Sequence, residues 1–302
     1  MEIKKIKKES YPYLLKQISQ LTDEMDYIGE IPPDDNKFLC VVGSRTYSLY
    51  GKEACFKIIA GLKGYPIVIV SGLAVGIDSM AHEAALEAGL KTIAFPGSGL
   101  EESAIYPHSK IPLAKKIVKA GGALISKFPA DMLSKPWSFP ARNRLMAGIS
   151  HAVLVIEGRQ GSGTLGTADY AAEFNRDVFA VPGNIFTELS YGPNMLIQRG
   201  AAMITSSEDV LRELGFEVKT NKKKAGEEKN SAKKQLSINL DELALSPNER
   251  MICDYLKIEN MSATDLIEKT SLSSSLFNII ISELEMKNLV IESGGSYRMR
   301  NV

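Results

Sequence analysis

Residues 67–85, IVIVSGLAVGIDSMAHEAA, constrain the fold more than any other stretch of the chain. Ile67-Val68-Ile69-Val70 is a β-branched run with no polar alternation, which fits a strand of a parallel sheet covered on both faces. The run breaks at Ser71-Gly72, a second glycine follows at Gly76, and the pattern predicts a helix over 78–90. Strand, glycine turn and helix in that order bring backbone N–H groups and a helix N-terminus together, an arrangement that receives anions. The bland alternative is a turn that closes a βα unit and binds nothing. The G-x-x-x-G spacing is neither the dinucleotide fingerprint nor a Walker loop. The turn gains weight because the chain repeats it.

Apolar runs at 38–42, 67–70, 92–95, 123–125, 152–156, 178–181 and 201–204 read as strands. Helical patterns between them lie at 49–62, 78–90, 111–119, 141–149 and 194–199, with one more opening at Gly161-Ser162-Gly163-Thr164 and running to 175. Alternation of this kind predicts an α/β fold, a doubly wound, mostly parallel sheet with right-handed crossovers. Its ligand edge is at the C-terminal ends of the strands, where the chain carries Gly43-Ser44-Arg45, Ser71-Gly72, Pro96-Gly97 and Gly161-Ser162-Gly163. Residues 1–37 read as a lead-in, with a short helix start at Tyr11-Pro12-Tyr13-Leu14-Leu15 and an extended connector at Ile31-Pro32-Pro33. It is too short for a core of its own and is expected to pack on the domain formed by 38–214.

The chain has 36 Lys and Arg against 36 Asp and Glu, which argues against a highly basic nucleic-acid protein, so any anion site must be a local patch. Residues 215–240 carry seven Lys against three Glu, include TNKKKAGEEKNSAKKQ, and read as a flexible linker. Residues 241–302 carry six basic against ten acidic residues. Their capping box at Ser246-Pro247-Asn248-Glu249, helix starts at Ser262 and Ser273, and hairpin around Gly294-Gly295 spell a small winged helix. Such folds often lay the third helix in the major groove, but here that helix, 274–287, carries Glu283 and Glu285 with Lys287 its one cation. DNA contact and protein contact both stay open for this unit. No apolar stretch reaches the ~20 residues of a membrane span, and the basic N-terminus has no apolar segment behind it, so no secretory signal is expected. Cys40, Cys55 and Cys253 are scattered, as are His82, His108 and His151, which fits reduced thiols in the cytoplasm and no metal site.

Arg45 follows a strand-end glycine, where its fork can grip a phosphate, or it pairs with a surface carboxylate. Arg142, Asn143 and Arg144 stand at a predicted helix start, where two cations oppose the helix dipole and an anionic ligand would relieve them. Lys127, Lys135, Trp137 and Phe139 lie just upstream, and cations interleaved with rings suit single-stranded nucleic acid; either ring can equally be core. Gly161-Ser162-Gly163-Thr164 offers N–H groups and hydroxyls at a helix N-terminus, or an ordinary N-cap by Ser162 or Thr164. Asp78 and His82, at i and i+4, read as a structural pair.

With these residues in place the chain resembles the DNA-processing protein A family (DprA, also called Smf). The matching stretches are VVGSRTYSLYGKE at 41–53, SGLAVGID at 71–78, GSGL at 97–100, FPARNRLMAGIS at 139–150, GSGTLGTADYAAE at 161–173, VFAVPG at 178–183 and GPNMLIQRGA at 192–201. The resemblance covers about residues 11–212, and the C-terminal unit resembles the family's winged helix. It implies an extended Rossmann fold and a dimer without cofactor or membrane contact. It also implies a non-enzymatic protein that binds single-stranded DNA, protects it and loads RecA recombinase on it during natural transformation. By the same resemblance Gly43, Ser44 and Arg45 hold DNA phosphates, beside Lys135, Phe139, Arg142, Asn143 and Arg144; the turns at Ser71-Gly72 and Gly161 to Thr164, and the cation Lys127, are further candidates read from the residues themselves. The chain departs from the family in two places. The usual N-terminal helical extension is not seen before Tyr11-Pro12, and Lys127 stands where an acidic residue is common.

The competing class is an enzyme. Gly161-Ser162-Gly163-Thr164 with Glu173 loosely resembles the P-G-G-x-G-T-x-x-E motif of nucleoside-monophosphate phosphoribohydrolases, which share a related fold. Here Arg159-Gln160-Gly161 replaces Pro-Gly-Gly, and Glu173 lies further along the helix than the motif requires.

Overall fold

The structure is a computed structural model that describes residues 2–218, 245–287, 289–293 and 295–299. The chain separates into two compact units, Met1–Lys219 and Thr220–Val302, each described by itself.

The first unit runs β1 (Lys4–Lys7), α1 (Tyr13–Lys16), β2 (Glu24–Gly29), β3 (Lys37–Val42), α2 (Leu49–Ala60), β4 (Ile67–Ser71), α3 (Ile77–Glu87), β5 (Lys91–Ala94), α4 (Ile111–Lys119) and β6 (Ala123–Ser126). It continues with α5 (Ser138–Ile149), β7 (Ala152–Val155), α6 (Gly163–Glu173), β8 (Asp177–Ala180), α7 (Tyr191–Gln198), β9 (Ala202–Met203) and α8 (Ser207–Glu213). Among the described residues these strands make one nine-stranded sheet in the order β1-β2-β6-β5-β4-β3-β7-β8-β9. From β6 to β9 all pairings are parallel. The chain lays down β3, β4, β5 and β6 in one direction, then crosses back through α5 to place β7 on the other side of β3. The strand order therefore reverses between β3 and β7, the kind of point where open α/β sheets form a crevice.

Side-chain alternation along the strands fills both faces. In β4, Ile67 and Ile69 pack with α2, α3 and α8, while Val68 and Val70 pack with α5 and the residues around α1. Every residue of β4 is buried, as its unbroken apolar run requires. No helix among the described residues is long and apolar enough to cross a membrane.

The lead-in departs from expectation. It contributes β1 and β2, and β2 runs antiparallel to β6, so that the parallel sheet gains an antiparallel edge. The charged side chains of Lys4, Lys5, Lys7 and Glu24 face solvent there, a usual way to keep an edge from pairing with another chain. Helix α5 starts at Ser138 instead of 141, with Pro140 in its first turn, where a missing N–H costs nothing. Helix α7 starts at Tyr191, three residues before the expected start. The expected linker begins too early. Phe216 and Val218 pack on the first unit's core, Phe216 edge-on to Tyr65 with ring centroids 5.4 Å apart. The rest of that segment, from 219, lies outside the described residues.

The second unit comprises α9 (Pro247–Ile258), β10 (Met261–Ser262), α10 (Ala263–Thr270), α11 (Ser274–Met286), β11 (Val290–Ser293) and β12 (Ser296–Met299). Capping boxes pair Ser246 with Glu249 and Ser262 with Asp265. The core is Ile252, Leu256, Leu266, Phe277, Ile280 and Leu284, and β10 joins the hairpin as a third strand that the sequence pattern did not signal. Three helices followed by a hairpin are the element order of a winged helix. On α11 the positions turned away from this core include Leu276, Asn278, Ile279, Ser282, Glu283, Glu285 and Met286, and Lys287, directly after the helix, reaches Glu249 at 2.6 Å.

Candidate functional site

Parallel pairing brings the C-terminal ends of β3, β4, β5, β7 and β8 to one edge. The loop after β3 is seated on α3. Ile77 donates its N–H to the Ser44 carbonyl at 3.2 Å, and Ser44 Oγ donates to the Thr46 carbonyl at 2.6 Å. Gly76, with φ +87, makes this approach possible, since a Cβ there would stand 2.3 Å from the Ser44 oxygen. The glycine spacing that opened the sequence reading thus docks one loop on another. The protein's own carbonyl groups thus take two of the first N–H groups of α3, that of Ile77 at Ser44 and that of Ser79 at Ala74.

Arg45 is exposed, and its guanidinium carbon lies 5.2 Å from the centre of the Phe139 ring, a cation–π distance. Tyr106 is tilted against the same ring, with 6.0 Å between centroids. Phe139 rests on Gly97, where a Cβ would come within 2.6 Å of the ring. The buried Ser138, first residue of α5, receives the Lys135 N–H at 3.0 Å and holds the loop that presents Lys135 and Trp137 to solvent. Trp137 is 55 % exposed and stands edge-on to Phe128. Cation and ring groups therefore share one surface at the ends of β3 and β5.

Other expected site residues sit differently. Ser71 is buried and donates its hydroxyl to the Val41 carbonyl at 2.7 Å. Gly72 lies under Arg142, whose Nη1 would be 1.1 Å from a Cβ at that position. Arg142 is itself only 4 % exposed and pairs with Asp78, 7 % exposed, at 3.4 Å. These three are corrected from ligand-facing to interior positions, and Arg142 lies a full turn inside α5 instead of at its start. Burial pushes the Asp78 carboxyl up and the Arg142 guanidinium down, each opposed by the other's charge. Asp78 does not pair with His82, contrary to the sequence reading. His82 contacts the Thr92 hydroxyl at 2.7 Å and is pushed down to about 3 by burial, so it is neutral.

Arg144 donates to both oxygens of Glu173 at 3.0 and 3.2 Å and stacks over Phe174 and Tyr170. Lys127 is half-buried, and burial, then the Arg144 charge, lowers its affinity for a proton. Asn143 donates to the Gly163 carbonyl at 3.3 Å and so ties α5 to the start of α6. Ser162 is the N-cap of α6 by backbone but makes no capping bond, and its Oγ has no hydrogen-bond partner among the described residues. Nothing lies within 4 Å of a Cβ at Gly161 or Gly163, so the N-terminus of α6 stands open. Glu173 ends α6, and ten steps of helix put it ~15 Å from Gly163. The phosphoribohydrolase-like pairing of these residues in one site is not built.

Glu157 was missed in the sequence. It ends the β7 run at the point where strand order reverses, is buried, accepts the Ser48 N–H at 3.0 Å and also bonds the Ser48 hydroxyl. Ser48 caps α2, so this carboxylate anchors a helix N-terminus. An acid directly after an apolar strand was the available signal.

A family model described as DNA recombination-mediator protein A matches residues 2–215. The chain is 40% identical over 208 residues to the protein Smf of Escherichia coli, covering 69% of this chain and 55% of the relative. It is 43% identical over 210 residues to DNA processing protein DprA of Streptococcus pneumoniae, covering 69% of this chain and 72% of the relative. The crystal structure of the S. pneumoniae protein superposes with a TM-score of 0.65 at 39% identity, over 72% of this chain and 75% of that one. A Helicobacter pylori DNA processing protein A, described as having a unique single-stranded DNA binding mode, superposes with a TM-score of 0.63 at 25% identity, over 70% of this chain and 95% of that one. The chain thus spans about half the length of one curated relative and nearly three quarters of another.

Proposed function

The chain belongs to the DNA recombination-mediator protein A family, and from that premise we propose that its first unit binds single-stranded DNA at the C-terminal edge of the sheet. The observation that carries this reading is Arg45 over Phe139, flanked by Tyr106 and by the loop of Lys135 and Trp137. The guanidinium and the Lys135 ammonium take phosphates while the rings accept bases, a combination with little sequence preference. The backbone of Gly43 and Ser44 and the open N-terminus of α6, from Gly161 to Thr164, extend the phosphate path, with Asn143 between them. Lys127 and Arg144 border it.

In the same reading the protein is a non-enzymatic cytoplasmic mediator. It shields incoming DNA and passes it to RecA recombinase during transformation or recombination, and it acts as a homodimer. The apolar loop of Ile185 and Phe186, 81 % and 90 % exposed, and the exposed Met203 on edge strand β9 offer surface for the second copy.

Titration of the full chain with labelled oligo-dT and with a duplex of equal length tests the proposal. Single-strand preference that weakens with salt is expected; equal affinity for the duplex would sink it. Incubation with AMP, GMP and CMP should release no free base. Release that is lost in Glu173→Ala would make the enzyme reading the primary one.

A further inference from the structure

Arg142 has the sequence context of a phosphate ligand and the surroundings of an interior tether. It is 4 % exposed, and its Nη1 is 3.4 Å from Asp78 Oδ2 and 3.2 Å from Met146 Sδ. The same atom presses on Gly72 so closely that only a glycine fits beneath it. Its Nε has no hydrogen-bond partner among the described residues. Asp78 belongs to the first turn of α3, and α3 starts where the Ser44–Arg45 loop docks. The pair therefore joins α5 to the helix that supports the Arg45 loop, from 64 residues away in sequence. Phe139 lies three residues before Arg142 on α5 and Asn143 one residue after it.

We propose that Arg142 is a positioning residue. Through its buried pair with Asp78 it fixes the first turns of α5 against the turn after β4, so that Phe139 stays beside Arg45, and it makes no contact with DNA phosphate. This rests on the single-strand reading above. An ion pair is suited to the task because it is directional, while the contact with Met146 lies within α5 and joins nothing to the turn after β4. The Asp78 charge also cancels that of Arg142, leaving Arg45 and Lys135 as exposed cations of that edge.

The two roles differ in sign, and the full chain with Asp78→Asn, Arg142→Gln and the double substitution separates them. Asp78→Asn is nearly isosteric and leaves the Arg142 charge in place. A phosphate-ligand Arg142 would be released by it, and oligo-dT binding would tighten; a positioning Arg142 loses its anchor, and binding weakens by about tenfold. Arg142→Gln is expected to weaken binding with the salt slope of log affinity unchanged, whereas loss of a phosphate contact lowers that slope by about 0.7. The neutral Asn–Gln pair is expected to recover most of the affinity. Trp137, the single tryptophan, sits directly before α5, and its emission should shift in each single variant and return in the double.

Titrations are made below each variant's own unfolding midpoint. A residue that only stabilises the fold would lower that midpoint and leave affinity and Trp137 emission as in the wild type. That result overturns the proposal, as does a tighter Asp78→Asn or a lowered slope in Arg142→Gln. If Arg142→Gln does not fold, the sign of the change in Asp78→Asn decides. Failure of the wild type itself to bind oligo-dT would instead sink the single-strand reading.

Discussion

At the strand ends of the first unit Arg45 stands exposed over the ring of Phe139, whereas at the end of α11 in the second unit Lys287 is drawn to Glu249 and the outward positions carry apolar Leu276, Ile279 and Met286 beside Asn278, Ser282, Glu283 and Glu285. Each place is where its fold class would present a nucleic-acid surface. In the first, a cation and rings face solvent together, so phosphate and base can be met at once. In the second, the one cation of the helix is spent on a nearly buried carboxylate, and Glu283 shares the outer face with apolar side chains. A phosphate backbone gains nothing from that surface. Net charge alone does not explain the first region, since residues 1–214 carry as many basic as acidic groups, while residues 241–302 carry six basic against ten acidic. What separates them is whether a cation is left free by its neighbours.

The largest effect should come from Arg45→Ala. One charge-assisted contact is worth roughly 1.5–3 kcal/mol, so oligo-dT affinity should fall about 10- to 150-fold. Fluorescence anisotropy with labelled oligo-dT measures it, and a loss under threefold would put the site elsewhere. Phe139→Ala should follow. Stacking is worth ~1–3 kcal/mol per base, and this ring also orients Arg45, so a loss of at least about fivefold is expected. Arg45 and Phe139 are in contact, so the double variant should lose less than the two single losses combined.

A pH series sharpens the contrast through stability. All three histidines belong to the first unit. Burial holds His82 down to about 3, and burial with the Lys37 and Arg176 charges holds His151 down to about 4, where its Nδ1 accepts the Phe38 N–H. Both are depressed below the ~6.5 of an unfolded chain, so their neutral forms stabilise the fold in full above pH 6.5. That contribution is lost as pH falls from 6.5 toward 4 and below. Thermal unfolding followed by Trp137 emission should show the first unit weakening across this window, while the second unit has no histidine to titrate. The smallest effect should be that of Ile279→Glu on α11, or of ending the chain at 218: less than about a twofold change in oligo-dT affinity. A large loss in either would mean that the second unit takes part in DNA binding.

The sequence made the central strands legible because each is a short β-branched or apolar run closed by glycine, a pattern that follows directly from burial on both faces. The edge strands β1 and β2 were not legible. KKIK and EMDYIG carry the charges that keep an edge solvated, and the pairing of β2 to β6 depends on residues about 100 positions away. Arg45 and Phe139 could be named from local spacing, since a strand-end turn and a helix start both announce themselves. The interior place of Arg142 could not. A guanidinium near a helix start looks solvent-facing until Asp78, 64 residues upstream, and the bare surface of Gly72 come together beneath it. Glu157 was overlooked for the same reason: its partner Ser48 is 109 residues away.

Photocrosslinking of the full chain to a single-stranded oligonucleotide carrying bromodeoxyuridine, followed by mass-spectrometric mapping of the attachment sites, tests the central claim most directly. The strand-end surface of the first unit predicts crosslinks within residues 43–50 and 106–139, centred on Tyr106, Trp137 and Phe139, and their loss in Arg45→Ala. Crosslinks that instead fall on α11 or on the hairpin of β11 and β12, unaffected by Arg45→Ala, would contradict it.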